Sequence, residues 1–201
     1  MSNGKDFNLA RIHYPYQEGE AGIADALSLA EPFVEGAKIC VVLGDNIIEN
    51  NIIEQGKAFA DQESGAHLVL AEVPDPERFG CAEIDNGKIV GIEEKPKQPK
   101  SNYAVTGIYF YDSTVFEKVR RTTPSWRNEL EITDVNNMYL REGTLTHSVP
   151  DGWWTDAGTF ESLLRATNLV VNSGANKIPG RGAPPQHMPR HSGNGTRQVK
   201  D

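Results

Sequence analysis

Five apolar residues in a row, Ile39-Cys40-Val41-Val42-Leu43, stop abruptly at Gly44-Asp45-Asn46. A run this short, closed by turn-forming residues, reads as a buried parallel strand. Helical and strand signals then alternate along the chain. Gly22 to Phe33 has apolar residues at Ile23, Ala26, Leu27 and Ala30, a helical rhythm with Pro32 marking its end. A second helix is expected over about 52–63, and His67-Leu68-Val69-Leu70-Ala71 is a second strand. Gly80–Ile84 and Lys88–Glu93 are joined by Asp85-Asn86-Gly87, and Asn-Gly is a strong hairpin signal. Beyond it, Val105–Tyr111 alternates like a strand, Ser113–Arg121 is helical, and Asn128–Arg141 places Leu130, Val135, Met138 and Tyr139 at helical spacing. Thr144–Val149 is another strand, and Thr159–Ser173 an amphipathic helix closed by Gly174. The pattern predicts an α/β domain, Rossmann-like, with a mixed, mostly parallel sheet flanked by helices.

Composition narrows the function classes. The chain has 201 residues, 38% hydrophobic and 24% charged, a globular mix long enough for one domain. No apolar run approaches a membrane span, and Met1–Asp6 lacks the form of a signal peptide. The net charge of −8 argues against a nucleic-acid binder. Two cysteines only, Cys40 and Cys81, lie in apolar stretches and read as small core residues of a reduced, cytoplasmic protein. From Pro179 to Asp201 the chain has four Pro, four Gly and no large aliphatic or aromatic residue except Val199 and Met188. Residues 1–178 are therefore expected to form the domain and 179–201 a disordered, basic tail. His187 and His191 in that tail are four apart, but Pro189 between them breaks any helix that would pair them on a metal.

Three places carry candidate chemistry. Ligands of open α/β sheets bind outside the carboxyl ends of the strands, where Asp45 falls. It is either a divalent-metal ligand or a turn or helix-capping aspartate. Asp156, in Gly152-Trp153-Trp154-Thr155-Asp156-Ala157-Gly158-Thr159, carries the same two readings. Glu93-Glu94-Lys95-Pro96 ends the hairpin; its lysine could meet a phosphate and its glutamate a sugar hydroxyl, or the group could be a solvated charge cluster.

Taken in order, these segments resemble the sugar nucleotidyltransferases, most closely the glucose-1-phosphate thymidylyltransferases. The matching residues are Gln17 with Gly22-Ile23-Ala24, Leu43–Asn46, Asp75–Gly80, Glu93–Pro96, Lys100–Tyr109, Glu129–Asp134 and Trp154–Thr159. The resemblance spans roughly Asp6 to Lys177. It implies the nucleotide-diphospho-sugar transferase fold and transfer of a nucleotidyl group from a nucleoside triphosphate to a sugar 1-phosphate, with Mg²⁺. Asp45 and Asp156 would be the Mg²⁺ carboxylates and Lys95 the holder of the sugar's phosphate. Gln17 and Gly22 would read the base. Gly80, Glu94 and Val105 would line the hexose, and Trp154 would wall the metal site. Homo-oligomers are the family habit. Glu129–Asp134 is a hallmark without a catalytic role, expected to start a helix.

Two departures accompany the match. Phe79 and Ala21 stand where polar side chains are common in the family. The family also carries a strand and a G-x-G-T-R loop, with a lysine about ten residues on, that cradle the triphosphate and its leaving pyrophosphate. The sequence starts after that region, and the family's continuation beyond Lys177 is absent too. Gly193-Asn194-Gly195-Thr196-Arg197 echoes the loop but has no apolar strand before it. The expectation is therefore an enzyme of this type or, alternatively, a catalytically incompetent half-enzyme that binds a sugar phosphate or nucleotide sugar.

Overall fold

The computed structural model describes Gly4 and residues 9–177. The expected tail, the two tail histidines and the Gly193–Arg197 string lie outside the described residues. The elements in chain order are α1 (Ile23–Ser28), α2 (Glu31–Val34), β1 (Ile39–Val42), β2 (Asn46–Ile48), α3 (Ile53–Asp61), β3 (Ala66–Glu72) and β4 (Gly80–Asp85). They continue with β5 (Lys88–Glu94), β6 (Tyr103–Tyr111), α4 (Val115–Arg121), α5 (Ile132–Arg141), β7 (Leu145–Ser148), β8 (Trp154–Asp156) and α6 (Phe160–Ser173).

β6 organises the sheet. Eight of its nine residues are buried, because helices and neighbouring strands cover both faces. The alternation expected over 105–111 is accordingly absent. Along one edge β6 pairs with β3 over nearly its whole length. Along the other edge two strands share it: β4 pairs with Val105 and Ala104, while β1 pairs with Ile108 to Tyr111. Between them, at Gly107, the two strands part. Gly107 belongs to this fork: a Cβ there would meet the Asn46 side chain at 2.4 Å and Leu43 at 2.8 Å.

The sheet is mixed, as expected, but mostly antiparallel rather than mostly parallel. Among the described residues only β3 with β7 runs parallel; the β6 pairings and the β4–β5 hairpin are antiparallel. A continuous apolar run reports burial on both faces, and a central antiparallel strand such as β6 meets that condition as well. β1 is likewise antiparallel and only half-covered. Cys40 is exposed on it, correcting its assignment to the core, whereas Cys81 is buried with its Sγ 3.3 Å from the Ser101 carbonyl.

Local corrections have local causes. Asn86 and Gly87 both take positive φ (48° and 74°), the turn the Asn-Gly pair predicts. The helix expected over 22–33 is two helices, and Pro32 sits in the first turn of α2 rather than at an end, a position where its missing N–H costs nothing. The helix expected from Asn128 begins at Ile132 instead. Before it, Leu130 bonds the backbone of Ala21 and Ala24, and Asn128 is left-handed at φ 61°. α6 starts on a Thr159–Ser162 capping box and ends at Gly174, φ 78°.

The core lies between β3–β6 and the helices α4 and α5. Tyr109, Tyr111 and Tyr139 stack in series there, and the Tyr111 hydroxyl donates to Asn136 at 2.7 Å. Burial pushes the phenols of Tyr111 and Tyr139 far above their ordinary range, so they remain neutral hydrogen-bonding groups.

Candidate active site

The parting of β4 and β1 along β6 opens a cleft of about 540 Å³. Val105, Gly107 and Tyr109 form its floor, the end of β1 one side, and the β4–β5 hairpin with the start of α5 the other. Seven of the nine residues singled out from the sequence line it: Asp45, Asp156, Lys95, Glu94, Gly80, Val105 and Trp154.

Asp45 and Asp156 meet through a device with no sequence signal. β2 and β8, three residues each, pair as a ribbon in which Asn46 lies opposite Asp156. The Ala157 amide donates to the Asp45 carbonyl at 2.8 Å, closing that ribbon beside the carboxylates. Asn46 fastens it to the sheet: its Oδ1 accepts from the Gly107 amide at 2.8 Å and from Trp154 Nε1 at 2.7 Å. Neither aspartate caps a helix. α3 begins after Ile52 without a side-chain cap, and α6 is capped by Thr159. The capping reading is thereby removed for both.

Gly158 explains the space between them. A Cβ there would lie 3.1 Å from Asp45 Oδ2 and 3.8 Å from Asp156 Oδ2, so glycine leaves open a cradle flanked by two carboxylates. Hard oxygen donors of this kind suit a hard divalent cation whose remaining positions go to water or phosphate. No cluster of three or more His, Cys, Asp or Glu that could hold a metal occurs among the described residues. Asp156 also faces two arginines, Arg78 Nη2 at 3.2 Å and Arg165 Nη2 at 3.4 Å, and both also approach Asp75.

Across the cleft, Glu94 is oriented by Thr133, whose hydroxyl donates to its Oε2 at 2.6 Å. Gly80 lies beside both: its Cβ position is 3.3 Å from Thr133 Oγ1 and 3.5 Å from Glu94 Oε2. Lys95 follows in a left-handed conformation, φ 44°, with its amide on the Phe79 carbonyl at 3.0 Å. The turn divides the charged run: Glu94 faces the cleft, whereas Glu93 and Lys97 stay exposed and Lys100 pairs with Glu83. Phe79 packs edge-on to Trp154, centroids 5.1 Å apart.

Gln17 and Gly22 are brought to each other but not onto the lining. Gln17 Nε2 donates to the Gly22 carbonyl at 3.1 Å and to Asp25 at 2.7 Å. Gly22, at φ 95°, makes its close approach to the chain's own Leu130 backbone, 2.6 Å from a would-be Cβ. Its neighbour Ile23 does reach the cleft.

Sequence reasoning missed Asn46, Arg78, Thr133 and Arg127. The last lines the cleft while bonded to Glu129 and, at 3.1 Å, to Glu131. Thr133 and the two glutamates fall inside the Glu129–Asp134 segment, which does start a helix as expected, and Asn46 and Arg78 fall inside Leu43–Asn46 and Asp75–Gly80, matched segments that carried no role for them.

A family profile described as nucleotidyl transferase matches residues 1–173. The chain belongs to the nucleotidyl transferase family. It is 42% identical over 174 residues to a glucose-1-phosphate thymidylyltransferase of Neisseria meningitidis, covering 85% of this chain and 60% of that protein. A Xanthomonas campestris protein of the same name is 44% identical over 164 residues, covering 79% and 55%. Among solved structures, a Bacillus anthracis protein provisionally named glucose-1-phosphate thymidylyltransferase, in complex with a sucrose, is 52% identical with a TM-score of 0.78, covering 83% of this chain and 68% of that one. A UDP-glucose pyrophosphorylase at 22% identity and TM-score 0.71 shares the fold. The chain thus spans 60% or less of the length of these two curated relatives. No helix among the described residues is long and apolar enough to cross a membrane.

Proposed function

We propose that this chain carries the sugar-phosphate and metal side of a nucleotidyltransferase that joins glucose 1-phosphate to dTTP, giving a dTDP-sugar and pyrophosphate. The observation behind this reading is the cleft itself, which gathers two carboxylates, a lysine and an oriented glutamate at one fork of the sheet. The similarity to relatives named for this activity supports the substrates.

In this reading a phosphate oxygen of the sugar phosphate attacks the α-phosphorus of the nucleotide in line, and the bond from that phosphorus to the departing pyrophosphate breaks. Such transfer depends on positioning and on neutralising charge. Lys95 meets the sugar's phosphate. Glu94, fixed by Thr133, accepts bonds from hexose hydroxyls, with Gly80 and Val105 shaping the floor beneath them. Asp45 and Asp156 hold Mg²⁺, which when bound supplies positive charge to the phosphates. Trp154 and Phe79 exclude water beside them. Gln17 and Gly22 present the edge that reads the base, next to Ile23. The same reading makes the protein cytoplasmic and homo-oligomeric, with residues 1–178 as its nucleotidyltransferase domain and 179–201 as an appended tail.

One observation favours a second reading, a module that binds a sugar phosphate without turnover. Both cleft arginines are committed, Arg78 to Asp75 and Asp156, Arg127 to Glu129 and Glu131, which leaves Lys95 as the cleft's unpaired cation among the described residues. One lysine suits a monophosphate better than a triphosphate. Pyrophosphate release from dTTP and glucose 1-phosphate with Mg²⁺ separates the two. Release that disappears in both Asp45→Ala and Asp156→Ala supports transfer. Calorimetric binding of glucose 1-phosphate without release supports the binding module, and neither binding nor release overturns both.

A further inference from the structure

Beside the cleft runs a second depression of about 710 Å³, bounded by Glu93, Glu94, Lys95, Lys97, Gln98 and Trp126. Glu94 and Lys95 belong to both, so the two spaces meet at the pair placed against the hexose and its phosphate. Trp126 is 93% exposed, and its ring makes no aromatic or hydrogen-bonded contact among the described residues.

The turn that displays it is nonetheless held firmly. The Ser125 amide donates to the Glu129 carbonyl at 2.8 Å and the Asn128 amide to the Ser125 carbonyl at 2.9 Å. Ser125 Oγ donates to Glu131 at 2.7 Å and accepts from the Arg127 amide at 3.1 Å. An indole held at a turn apex costs little conformational entropy on meeting a ligand, because two torsions fix it.

Resting on the sugar-phosphate reading of the main cleft, we propose that this groove is an accessory carbohydrate subsite, in which Trp126 stacks on a second pyranose ring linked to the one beside Glu94. The chemistry of the walls selects that occupant. A flat apolar face suits the C–H face of a sugar ring, while the Gln98 amide, the Glu93 carboxylate and the Lys97 ammonium suit its hydroxyls. A second nucleotide would need a surplus of cations, and here Lys95 and Lys97 are matched in number by Glu93 and Glu94. Substrates or products carrying a disaccharide are then bound better than those carrying one ring.

The test uses the whole chain, with maltose as a two-ring probe and glucose as its one-ring control, followed through the indole N–H signals of the three tryptophans in NMR. Trp126→Ala identifies the Trp126 signal and, being at an exposed apex, leaves the fold intact. Maltose is expected to shift that signal saturably and to bind about fivefold more tightly than glucose, the advantage vanishing in Trp126→Ala. A Trp126 signal that maltose does not move, or a maltose advantage that survives Trp126→Ala, overturns the subsite. So does a sedimentation change in Trp126→Ala with maltose binding unaltered, which would make Trp126 a contact between copies. If glucose 1-phosphate fails to bind while maltose moves Trp126, the subsite stands and the main-cleft reading falls.

Discussion

The two walls of the cleft are built in different ways. The hexose-facing wall rests on the core: Glu131, Ile132 and Thr133 are buried at the start of α5, and Val105 and Tyr109 are buried in β6. The carboxylate wall is a ribbon of two three-residue strands, with Asp45 exposed at its rim and Ile47 and Ile48 half-covered. Position on the first wall comes from packing over many contacts. On the second it comes largely from hydrogen bonds, two of which converge on Asn46 Oδ1 and tie the ribbon to the floor of the cleft. A wall built the second way is easier to displace, and it carries the two charged groups whose spacing matters most.

The contrast predicts its own weakest point. Asn46→Leu leaves the Gly107 amide and Trp154 Nε1 without their acceptor, each an orphaned donor costing about 1–3 kcal/mol. The expected loss of unfolding free energy is about 3–4 kcal/mol in urea titration, together with loss of Mg²⁺ binding by calorimetry. A variant within about 1 kcal/mol of the parent by the same titration would show that the ribbon is held by something other than Asn46.

Both walls stand on one sheet, and His67 tests whether they fall together. It lies on β3, buried, between Thr146 Oγ1 at 2.8 Å and Ser148 Oγ at 2.9 Å. Burial, with His147 nearby, lowers its pKa to about 4. The folded state therefore keeps His67 neutral where the unfolded chain, at about 6.5, already takes a proton. Its contribution is complete above about pH 6.5 and is lost as pH falls towards 4, by about 3 kcal/mol in all. Thermal unfolding should show that loss, and His67→Gln should flatten the slope in this window. If the tryptophan signals of the ribbon and the tyrosine signals of the core melted at separate temperatures on acidification, the walls would not share a foundation.

Gly158→Ala separates geometry from stability on the ribbon side. The added Cβ enters the cradle 3.1 Å from Asp45 Oδ2, and the glycine has no positive φ to strain. Mg²⁺ affinity should drop about tenfold, near 1.4 kcal/mol, with the melting temperature nearly unchanged. Unchanged affinity would mean that the two aspartates do not share an ion.

How much of this was legible in the sequence differs between the walls. α6 and the body of α5 were readable because ten or more residues establish a period, and the β4–β5 hairpin because its Asn-Gly pair marks the turn. β2 and β8 were not, since three residues carry no period and each becomes a strand only by meeting a partner more than a hundred positions away. Strand direction was illegible for a related reason: burial of β6 on both faces is the same signal in either sense. The aspartates stood out through their glycines and their match to a family. Asn46 and Thr133 did not, because an amide or a hydroxyl becomes a positioning group only through the atom it touches.

Thr133→Val is the smallest expected effect and the sharpest test of the two-wall contrast. It keeps the side chain's volume while removing the donor to Glu94 Oε2, on a wall whose packing is otherwise intact. The hydrogen bond joins a hydroxyl to a half-buried carboxylate, so about 1 kcal/mol of stability is expected to go. Glu94 then loses its fixed orientation, and glucose 1-phosphate should bind about fivefold more weakly. Mg²⁺ binding should not change, because Asp45 and Asp156 share no partner with Thr133, and effects at sites without shared partners add. Thr133→Ser, which keeps the hydroxyl, should restore most of the sugar-phosphate affinity despite losing a buried methyl. If Mg²⁺ binding weakened in step with the sugar phosphate, the cleft would be one cooperative unit and the separation of its walls would be wrong.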